Sequence, residues 1–393
     1  MSSDPVVILA ARRTPVGAFQ GVFAAVTAPQ LGAVAIKAAV ADSGVAAAEI
    51  DELIMGCVLS AGLGQAPARQ AALGAGIPPS IPATTVNKMC GSAMRAVMLA
   101  SDQILAGSAR AIVAGGLESM TNAPYLLPKA RAGYRMGHQE VLDHMFYDGL
   151  QSPWDGQLMG CFAEATSGKY DFTRQVQDDF AKESARRAQG AVASGAFAQE
   201  VAPVWAKTRK GEVLIDRDET PSTIDVSKIP TLKPAFKKDG TVTAASSASI
   251  SDGAAAVVLA RESWCKARGL KPLARIVGYS SFAREPEWFT LAPVGAIVKL
   301  LSQLQWQASD VDLYEINEAF AVVAMAAIKE LELDPAKVNV NGGACALGHP
   351  IGATGTRILT TLIYALKNRG KKRGIASLCI GGGEATAIAI EVV

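Results

Sequence analysis

The chain has 393 residues, of which 50% are hydrophobic and 19% charged, and its formal net charge is +2. This length exceeds what one ordinary core holds, so we expect two or more packed domains. The small net charge and the scattered cations favour neither nucleic acid nor a membrane as a partner.

The six cysteines lie far apart, from Cys57 to Cys379, which favours free thiols in a reducing, cytoplasmic compartment over a disulfide framework. The first residues lack the basic and apolar pattern of a signal peptide, so we expect none. The longest apolar run, residues 319–328, is too short to span a bilayer and predicts a buried helix.

The N-terminal part alternates predicted strands and helices. Residues 6–10 and 54–59 are apolar runs typical of buried strands. Thr27 and Gly44 bound a predicted helix, because Thr caps helix N-termini and Gly ends helices. Further elements are a helix from after Cys90 to Gly107, a strand over 111–114 and a turn at Gly115 and Gly116.

The segment 118–248 has a different texture, with short polar loops and a predicted helix over 173–194, and indicates an insertion. The strand pattern resumes at residues 253–259. The C-terminal part then echoes the N-terminal part, which predicts a weak internal duplication and a layered α/β fold. Its predicted elements are strands over 311–316, 338–340 and 375–380 and helices over 319–331 and 354–367.

Cys90 stands between a predicted strand and a predicted helix, preceded by the β-branched run 84–86. A thiol on the first turn of a helix meets the positive end of the helix dipole and free N–H groups, which lower its pKa and improve it as a nucleophile. The small residues 91–93 leave the sulfur unshielded. A buried, inert cysteine is the alternative interpretation.

His349 is the one histidine outside the inserted segment, and five glycines surround it in residues 341–355, NGGACALGHPIGATG. A backbone folded tightly around one imidazole suits a base that takes a proton from a thiol. A hydrogen-bonded structural histidine in a turn is the alternative. A phosphate loop is excluded as a pattern, because no Lys-Ser/Thr pair follows the glycines.

Asn317 and Cys379 are further candidates at strand ends. Asn317 precedes the predicted helix, where an amide can hold a water or donate to a developing oxyanion, although an asparagine there is more often a helix cap. Cys379 faces three glycines, whose N–H groups can form an anion-binding concavity. Taken alone, Cys379 fits a core position equally well.

Two other classes of site find little support. Cys345 and His349 have the spacing of a ligand pair, but no second pair with ligand spacing exists, so we expect no metal. The Gly-x-Ser-x-Gly elbow of many serine hydrolases is absent.

Together these motifs resemble the thiolases, and among them the acetyl-CoA acetyltransferases. The resemblance covers essentially the whole chain, and the inserted segment looks like the loop domain of the family. Order and spacing fit for all four motifs, which are residues 86–92 (VNKMCGS), 317–320 (NEAF), 342–352 (GGACALGHPIG) and 379–383 (CIGGG).

The resemblance implies a five-layered α/β/α/β/α duplication with an inserted loop domain. Residues 1–118 plus 249–270 then form the N-terminal half and residues 271–393 the C-terminal half. The loop domain covers residues 119–248.

The resemblance also implies a role for each catalytic residue. Cys90 is the nucleophile that takes the acyl group from CoA, and His349 activates it and helps to bind a thioester oxygen. Cys379 moves the proton of the second acetyl-CoA. Asn317 holds the water that completes one oxyanion hole with His349, and the N–H groups of Cys90 and Gly381 form the other.

Six residues are expected at the substrate: Leu158, Met159, Phe236, Ala248, Ser249 and Phe320. Four positions depart from the family pattern. Leu158 stands where many biosynthetic members have a histidine, and Ala248 lacks a hydroxyl that usually meets pantetheine. Ser222 replaces an arginine that often meets a CoA phosphate, and Glu384 replaces an uncharged residue.

The expected activity is the reversible condensation of two acetyl-CoA to acetoacetyl-CoA through an acyl-cysteine, within fatty acid metabolism. No permanently bound cofactor or metal is expected, and CoA is substrate and product. The expected partners are acyl-CoA, CoA and further copies of the chain in a dimer of dimers.

Three other functions remain open. A degradative 3-ketoacyl-CoA thiolase of broader chain length is favoured by Leu158. A catalytically silent CoA or lipid binder is disfavoured by the four catalytic residues. A Cys-His-Asn hydrolase would not need Cys379.

Overall fold

Strands and helices alternate along the chain as expected for a layered α/β protein. The computed structural model describes residues 4–208 and 211–393. The strands are β1 (Val6–Arg13), β2 (Gly17–Ala18), β3 (Glu52–Gly56), β4 (Ala83–Val86), β5 (Ala111–Ser119), β6 (Tyr125–Leu126), β7 (Leu142–Asp143), β8 (Val204–Thr208), β9 (Gly211–Ile215), β10 (Ser251–Arg261), β11 (Ala274–Ala283), β12 (Leu313–Ile316), β13 (Arg373–Ile380) and β14 (Glu384–Val392).

The helices are α1 (Ala28–Ser43), α2 (Pro67–Gly74), α3 (Ser92–Ala106), α4 (Met159–Tyr170), α5 (Arg174–Ser194), α6 (Glu262–Lys266), α7 (Ala292–Leu304), α8 (Ala321–Glu330), α9 (Ala344–Leu347) and α10 (Thr354–Asn368). No helix in the described part of the chain combines the length and the apolar character needed to cross a membrane.

Two sheet regions repeat one connectivity. The first has the order β4-β3-β5-β10-β1, and the second has the order β12-β13-β14-β11. In both, the outer strands pair in parallel and the inner strands antiparallel. A parallel bridge from Tyr314 to Val338 takes the place that β4 has in the first region. The predicted duplication is confirmed by this shared strand order.

Five layers follow from where the helices pack. α3 and α10 lie between the two sheets and share one apolar cluster with both, in which Met94 and Ile358 are fully buried. α1 and α2 cover the outer face of the first sheet, and α7 and α8 cover the outer face of the second. Because α10 is enclosed on every side, even its polar Thr356 and Thr360 are inaccessible to solvent.

Helix boundaries agree closely with the sequence signals. Thr27 precedes α1 and its N–H donates to the Gln30 side-chain oxygen at 2.8 Å, while Gly44 ends the helix with φ of 72°. The Thr173 hydroxyl accepts from the N–H of Val176 at 3.4 Å and begins α5. The apolar run 319–328 lies mostly in the buried helix α8.

Three local predictions are wrong. Gly115 and Gly116 lie inside β5 and not in a turn. A side chain at position 116 would not fit, because a Cβ on Gly116 would stand 2.0 Å from the Gly352 carbonyl oxygen. These glycines therefore permit close approach of two backbones. Residues 338–340 form only the single bridge of Val338, and β3 ends at Gly56 rather than Leu59.

The segment 119–248 contributes α4, α5 and two small two-stranded sheets. It is tied to β1 by the buried guanidinium of Arg13, which binds Glu200 at 2.6 Å and Asp218 at 2.7 Å. The Ser184 hydroxyl on α5 donates to Glu318 at 2.7 Å. The segment thus packs on both halves, and its domain boundaries at 119 and 248 stay a prediction.

Candidate active site

A strained turn presents Cys90 between β4 and α3. Met89 has a left-handed φ of 47°, which costs free energy for a residue other than glycine. Ser92 holds the turn closed, since its hydroxyl donates to the Met89 carbonyl at 2.6 Å and accepts from the Lys88 N–H at 2.8 Å. Cys90 is half-buried at this turn.

The expected lowering of the Cys90 pKa is wrong. Burial disfavours the thiolate and raises the pKa of Cys90 to about 11, and the negative charge of Glu118 adds to the rise. The N–H groups of Gly381 and Cys90 bind the sulfur and lower its pKa, but by less than burial raises it. A free thiol of this kind needs a nearby base before it attacks a thioester.

His349 is a buried imidazole with one nitrogen engaged. Its Nδ1 lies 2.7 Å from the Thr354 hydroxyl, which in turn donates to the Pro350 carbonyl at 2.9 Å. Because that hydroxyl has a single proton, Nδ1 carries the hydrogen and Nε2 is left with a lone pair. Nε2 has no hydrogen-bond partner among the described residues.

Burial lowers the pKa of His349 to about 3, and the nearby Arg357 cation contributes to the lowering. The imidazole is therefore neutral at neutral pH and ready to accept a proton. An imidazolium forms here only beside a new negative charge.

Asn317 follows β12 and lies beside the same imidazole, with its Nδ2 3.5 Å from Nδ1 of His349. Its side-chain oxygen is buried and has no partner within residues 4–208 and 211–393. The helix-cap interpretation is wrong, because α8 begins at Ala321 with Phe320 as its N-cap. An amide left free in this way suits binding of a water or an oxygen.

Cys379 comes from the opposite side, at the end of β13, and is fully buried. Burial raises the pKa of its thiol far above the usual range, and the neighbouring charge of Cys90 raises it further. The turn that follows has φ of 96° at Gly382 and 91° at Gly383, and it aims the Gly381 N–H at the Cys90 sulfur. Two thiols thus share one site.

The six residues expected at the substrate lie around this site to different degrees. Met159 has its sulfur 3.6 Å from where a Cβ on Gly381 would stand, and Leu158 is the N-cap of α4 directly before it. The ring of Phe236 packs edge-on against Phe320 with centroids 5.8 Å apart. These apolar groups form a wall beside the Gly381 turn.

Ala248 and Ser249 form a backbone support. The Ala248 N–H donates to the Ala319 carbonyl at 3.0 Å, and the Ser249 carbonyl accepts from the His349 N–H at 3.2 Å. Ser222 is different, because it lies in a short helical turn with its hydroxyl donating to the Glu219 carbonyl at 2.9 Å. That the CoA nucleotide is held differently or more weakly without an arginine at this position stays a prediction.

Sequence reasoning missed two buried glutamates. Glu118 accepts N–H bonds from Val58, Leu59 and Gly352, so it joins the first half to the His349 loop. Burial raises the pKa of Glu118 to about 7. Its position after a strand and a glycine pair was visible, but only the fold shows what it binds.

Glu318 lies within the motif 317–320, and the sequence alone predicts no role for it. Its carboxylate accepts from Ser184 at 2.7 Å, from the Asn339 amide at 2.8 Å and from the Cys345 N–H at 3.1 Å. It therefore connects the loop segment, the end of β12 and the glycine-rich loop. Cys345 is held there as a structural residue, and no group of three metal-ligand side chains occurs among the described residues.

Family comparison agrees with this geometry. Models of the thiolase N-terminal and C-terminal domains match residues 6–263 and 270–392. The chain belongs to the thiolase family. Among curated thiolases, it is 47% identical to the acetyl-CoA acetyltransferase of Schizosaccharomyces pombe over the full length of both chains. It is 48% identical to that of Cupriavidus necator, over 98% of this chain and 99% of the relative.

Solved thiolase structures match equally completely. The acetyl-CoA acetyltransferase of Bacillus anthracis superposes with a TM-score of 0.97 at 43% identity, over 99% of each chain. The Acat5 thiolase of Ascaris suum, solved in complex with coenzyme A, gives a TM-score of 0.94 at 43% identity, over 99% of this chain and 100% of that one. The thiolase fold expected from the motifs is confirmed.

Proposed function

We propose that this thiolase is an acetyl-CoA C-acetyltransferase that condenses two acetyl-CoA to acetoacetyl-CoA and CoA, reversibly. The proposal rests on one observation. Two thiols, Cys90 and Cys379, share a site with the neutral imidazole of His349 and the N–H of Gly381. One thiol accepts an acyl group while the other moves a proton on carbon. Acyl transfer followed by carbon–carbon bond formation requires both roles in one site.

In the first step, Nε2 of His349 takes the proton of Cys90 as the sulfur attacks the thioester carbonyl. The N–H groups of Cys90 and Gly381 stabilise the oxyanion that forms. The bond between the carbonyl carbon and the sulfur of CoA breaks, and the Cys379 thiol gives its proton to the leaving CoA thiolate. His349 thus keeps the proton of Cys90 at Nε2, and Cys379 is left as a thiolate. The result is an acetyl group on Cys90.

In the second step, Cys379 removes a proton from the methyl group of the second acetyl-CoA. A thiolate whose pKa is raised by burial is a strong base, as a weakly acidic C–H bond requires. Asn317 and His349 receive the negative enolate oxygen, in part through a water on Asn317. The carbon then attacks acetyl-Cys90, and the thiolate of Cys90 leaves with the proton returned from His349.

A degradative 3-ketoacyl-CoA thiolase is the second candidate, and Leu158 favours it. Leu158 occupies the N-cap position of α4 directly before Met159 and brings no polar side-chain group to this apolar wall. A silent binder or a hydrolase accounts less well for a second buried thiol facing the first.

Thiolysis of 3-ketoacyl-CoA substrates with four, six and ten carbons separates the candidates. We expect kcat/KM to fall at least about tenfold from four to ten carbons, since an extra methylene in a closed pocket costs about 1–3 kcal/mol. Equal or faster cleavage of the longer chains would assign the degradative activity. No cleavage of any substrate would leave a binder.

We further propose a cytoplasmic dimer of dimers acting in fatty acid metabolism. Support for assembly comes from exposed apolar side chains on the loop segment, with Tyr125, Met136 and Val141 exposed by 68%, 91% and 55%. Six free cysteines suit a reducing compartment. Sedimentation equilibrium tests the tetramer, and replacement of Met136 and Val141 by serine should leave a dimer.

A further inference from the structure

An ion pair joins the two loops that meet at the catalytic thiols. The Lys88 ammonium contacts the Glu384 carboxylate directly. Lys88 lies two residues before Cys90, and Glu384 comes directly after the three glycines that follow Cys379. Their side chains are only 27% and 38% exposed. The pair therefore links the cysteine turn of the first half to the glycine turn of the second.

On the first side, Lys88 is built into the turn that presents Cys90. Its N–H donates to the Ser92 hydroxyl at 2.8 Å, and its carbonyl accepts from the Gly91 N–H at 3.0 Å. The residue between, Met89, has the left-handed φ of 47°. A shift of Lys88 therefore also moves Cys90, because a short, hydrogen-bonded and strained turn connects the two residues.

On the second side, Glu384 is the first residue of β14. It pairs across the turn with Ile380 and on its other side with Ala283, so its backbone is held by two neighbouring strands. The Gly383 carbonyl also accepts from the Arg284 N–H at 2.8 Å. The backbone of Glu384 is therefore firmly held next to the Gly381–Gly383 turn.

Contact between the two loops is close but mostly non-directional. A Cβ on Gly91 would stand 2.4 Å from the terminal methyl of Ile380, so the loops touch there by packing alone. β4 and β14 belong to different sheet regions and share no ladder pair. Besides this packing, the Gly381 N–H of the second loop binds the Cys90 sulfur of the first.

We propose that the Lys88–Glu384 ion pair is a positioning device that sets the Gly381 N–H at the right distance from Cys90 for oxyanion binding. The inference rests on the proposed function for its kinetic readout. Misplacement of an oxyanion donor by about 1 Å costs up to about 10²-fold in rate. A partly exposed ion pair adds little stability of its own, so its removal affects rate more than folding.

Three variants test the pair: Glu384→Gln, Lys88→Met and the double variant. Each single change is expected to lower kcat for acetoacetyl-CoA thiolysis about tenfold and to leave KM for CoA within about twofold. The double variant is expected to lose no more than either single variant, because the two side chains act through each other. Lys88→Arg keeps the charge and should retain most of the activity.

Glu391→Gln is the matched control. Glu391 binds Arg373 at 2.9 Å at the far end of the same two strands, and the two side chains are 20% and 37% exposed. Its removal breaks a comparable ion pair away from the thiols. We expect unchanged kcat, and unfolding midpoints for Glu384→Gln and Glu391→Gln within about 2 °C of each other.

A substrate-free readout separates this inference from the proposed function. Gly381 stabilises the Cys90 thiolate, so loosening the turn should slow alkylation of Cys90 by iodoacetamide at pH 8 several-fold in Glu384→Gln but not in Glu391→Gln. An inactive wild type with this alkylation difference would overturn the function alone. The positioning role is overturned by equal alkylation and equal kcat in the two variants, or by losses that multiply in the double variant.

Discussion

The two halves of the duplication share a strand order but use their strand ends differently. In the first half, β4 leads through a strained turn to Cys90, and the end of β5 carries a structural carboxylate, Glu118. In the second half, the corresponding positions lead to His349 and to Cys379, and β12 leads to Asn317. One half supplies the acyl acceptor, and the other supplies the groups that move protons and bind oxygen.

This division places the site at the seam between the halves, where neither half is complete alone. Two buried glutamates near this seam make different connections. Glu118 reaches across from the first half to the N–H of Gly352 at 2.8 Å. Glu318 stays within the second half and reaches the loop segment at Ser184. The two copies of the fold therefore build one site because different residues follow their corresponding strands.

The largest effect separates the two thiols. Cys90→Ser should lower thiolysis roughly 10⁴-fold or more, because the nucleophile is lost. Cys379→Ser should be equally slow in turnover yet still form an acetyl adduct on Cys90. Mass spectrometry of each protein after addition of acetyl-CoA makes the distinction. An adduct on Cys90→Ser as stable and abundant as on the wild type would contradict the assignment of roles.

The pH dependence of Cys90 alkylation shows whether burial or the helix dipole dominates the pKa of this thiol. With the pKa of Cys90 raised to about 11, the thiolate fraction rises with pH. Alkylation by iodoacetamide should therefore increase about tenfold per pH unit from pH 7 to pH 10, as one proton is lost. Peptide mapping isolates Cys90 from the other five cysteines. A plateau below pH 8 would mean that the helix N-terminus dominates after all.

A methyl group at the seam tests how tightly the halves meet. Gly116→Ala places a Cβ 2.0 Å from the Gly352 carbonyl oxygen and should destabilise the fold by about 1–3 kcal/mol or more. Gly190→Ala in α5 is the control, since a Cβ there meets nothing within 4 Å. That change should stabilise by about 0.4–1 kcal/mol. Urea unfolding measures the stability of both variants. Equal midpoints would show that the backbones of Gly116 and Gly352 move apart at little cost in free energy.

The smallest effect concerns the orientation of the base in the second half. Thr354→Val removes the oxygen that binds Nδ1 of His349 and should lower kcat about tenfold, because the imidazole loses its fixed tautomer. Thr360→Val is the control in the same helix, where the hydroxyl only donates to the Thr356 carbonyl at 2.8 Å. If both variants kept wild-type kcat, Thr354 would have no part in orienting the ring.

Much of this molecule was predictable from local signals. Helix α1 with Thr27 and Gly44, helix α5 with Thr173, and the strands of the first sheet region follow from periodicity and caps. The four motifs indicated the thiolase fold. By contrast, the glycine pair 115–116 predicts a turn that does not form, since nothing nearby in sequence shows the backbone of Gly352 that Gly116 approaches.

The four candidate catalytic residues are visible in the sequence with their small neighbours: Cys90, Asn317, His349 and Cys379. Their chemistry follows from how the folded chain surrounds them. Burial reverses the expected pKa shift of Cys90, Thr354 selects the tautomer of His349, and Gly381 is brought from the other half to face a sulfur far away in the chain. The reason is physical, because desolvation and hydrogen-bond partners depend on what surrounds a group in space and not on its neighbours along the chain.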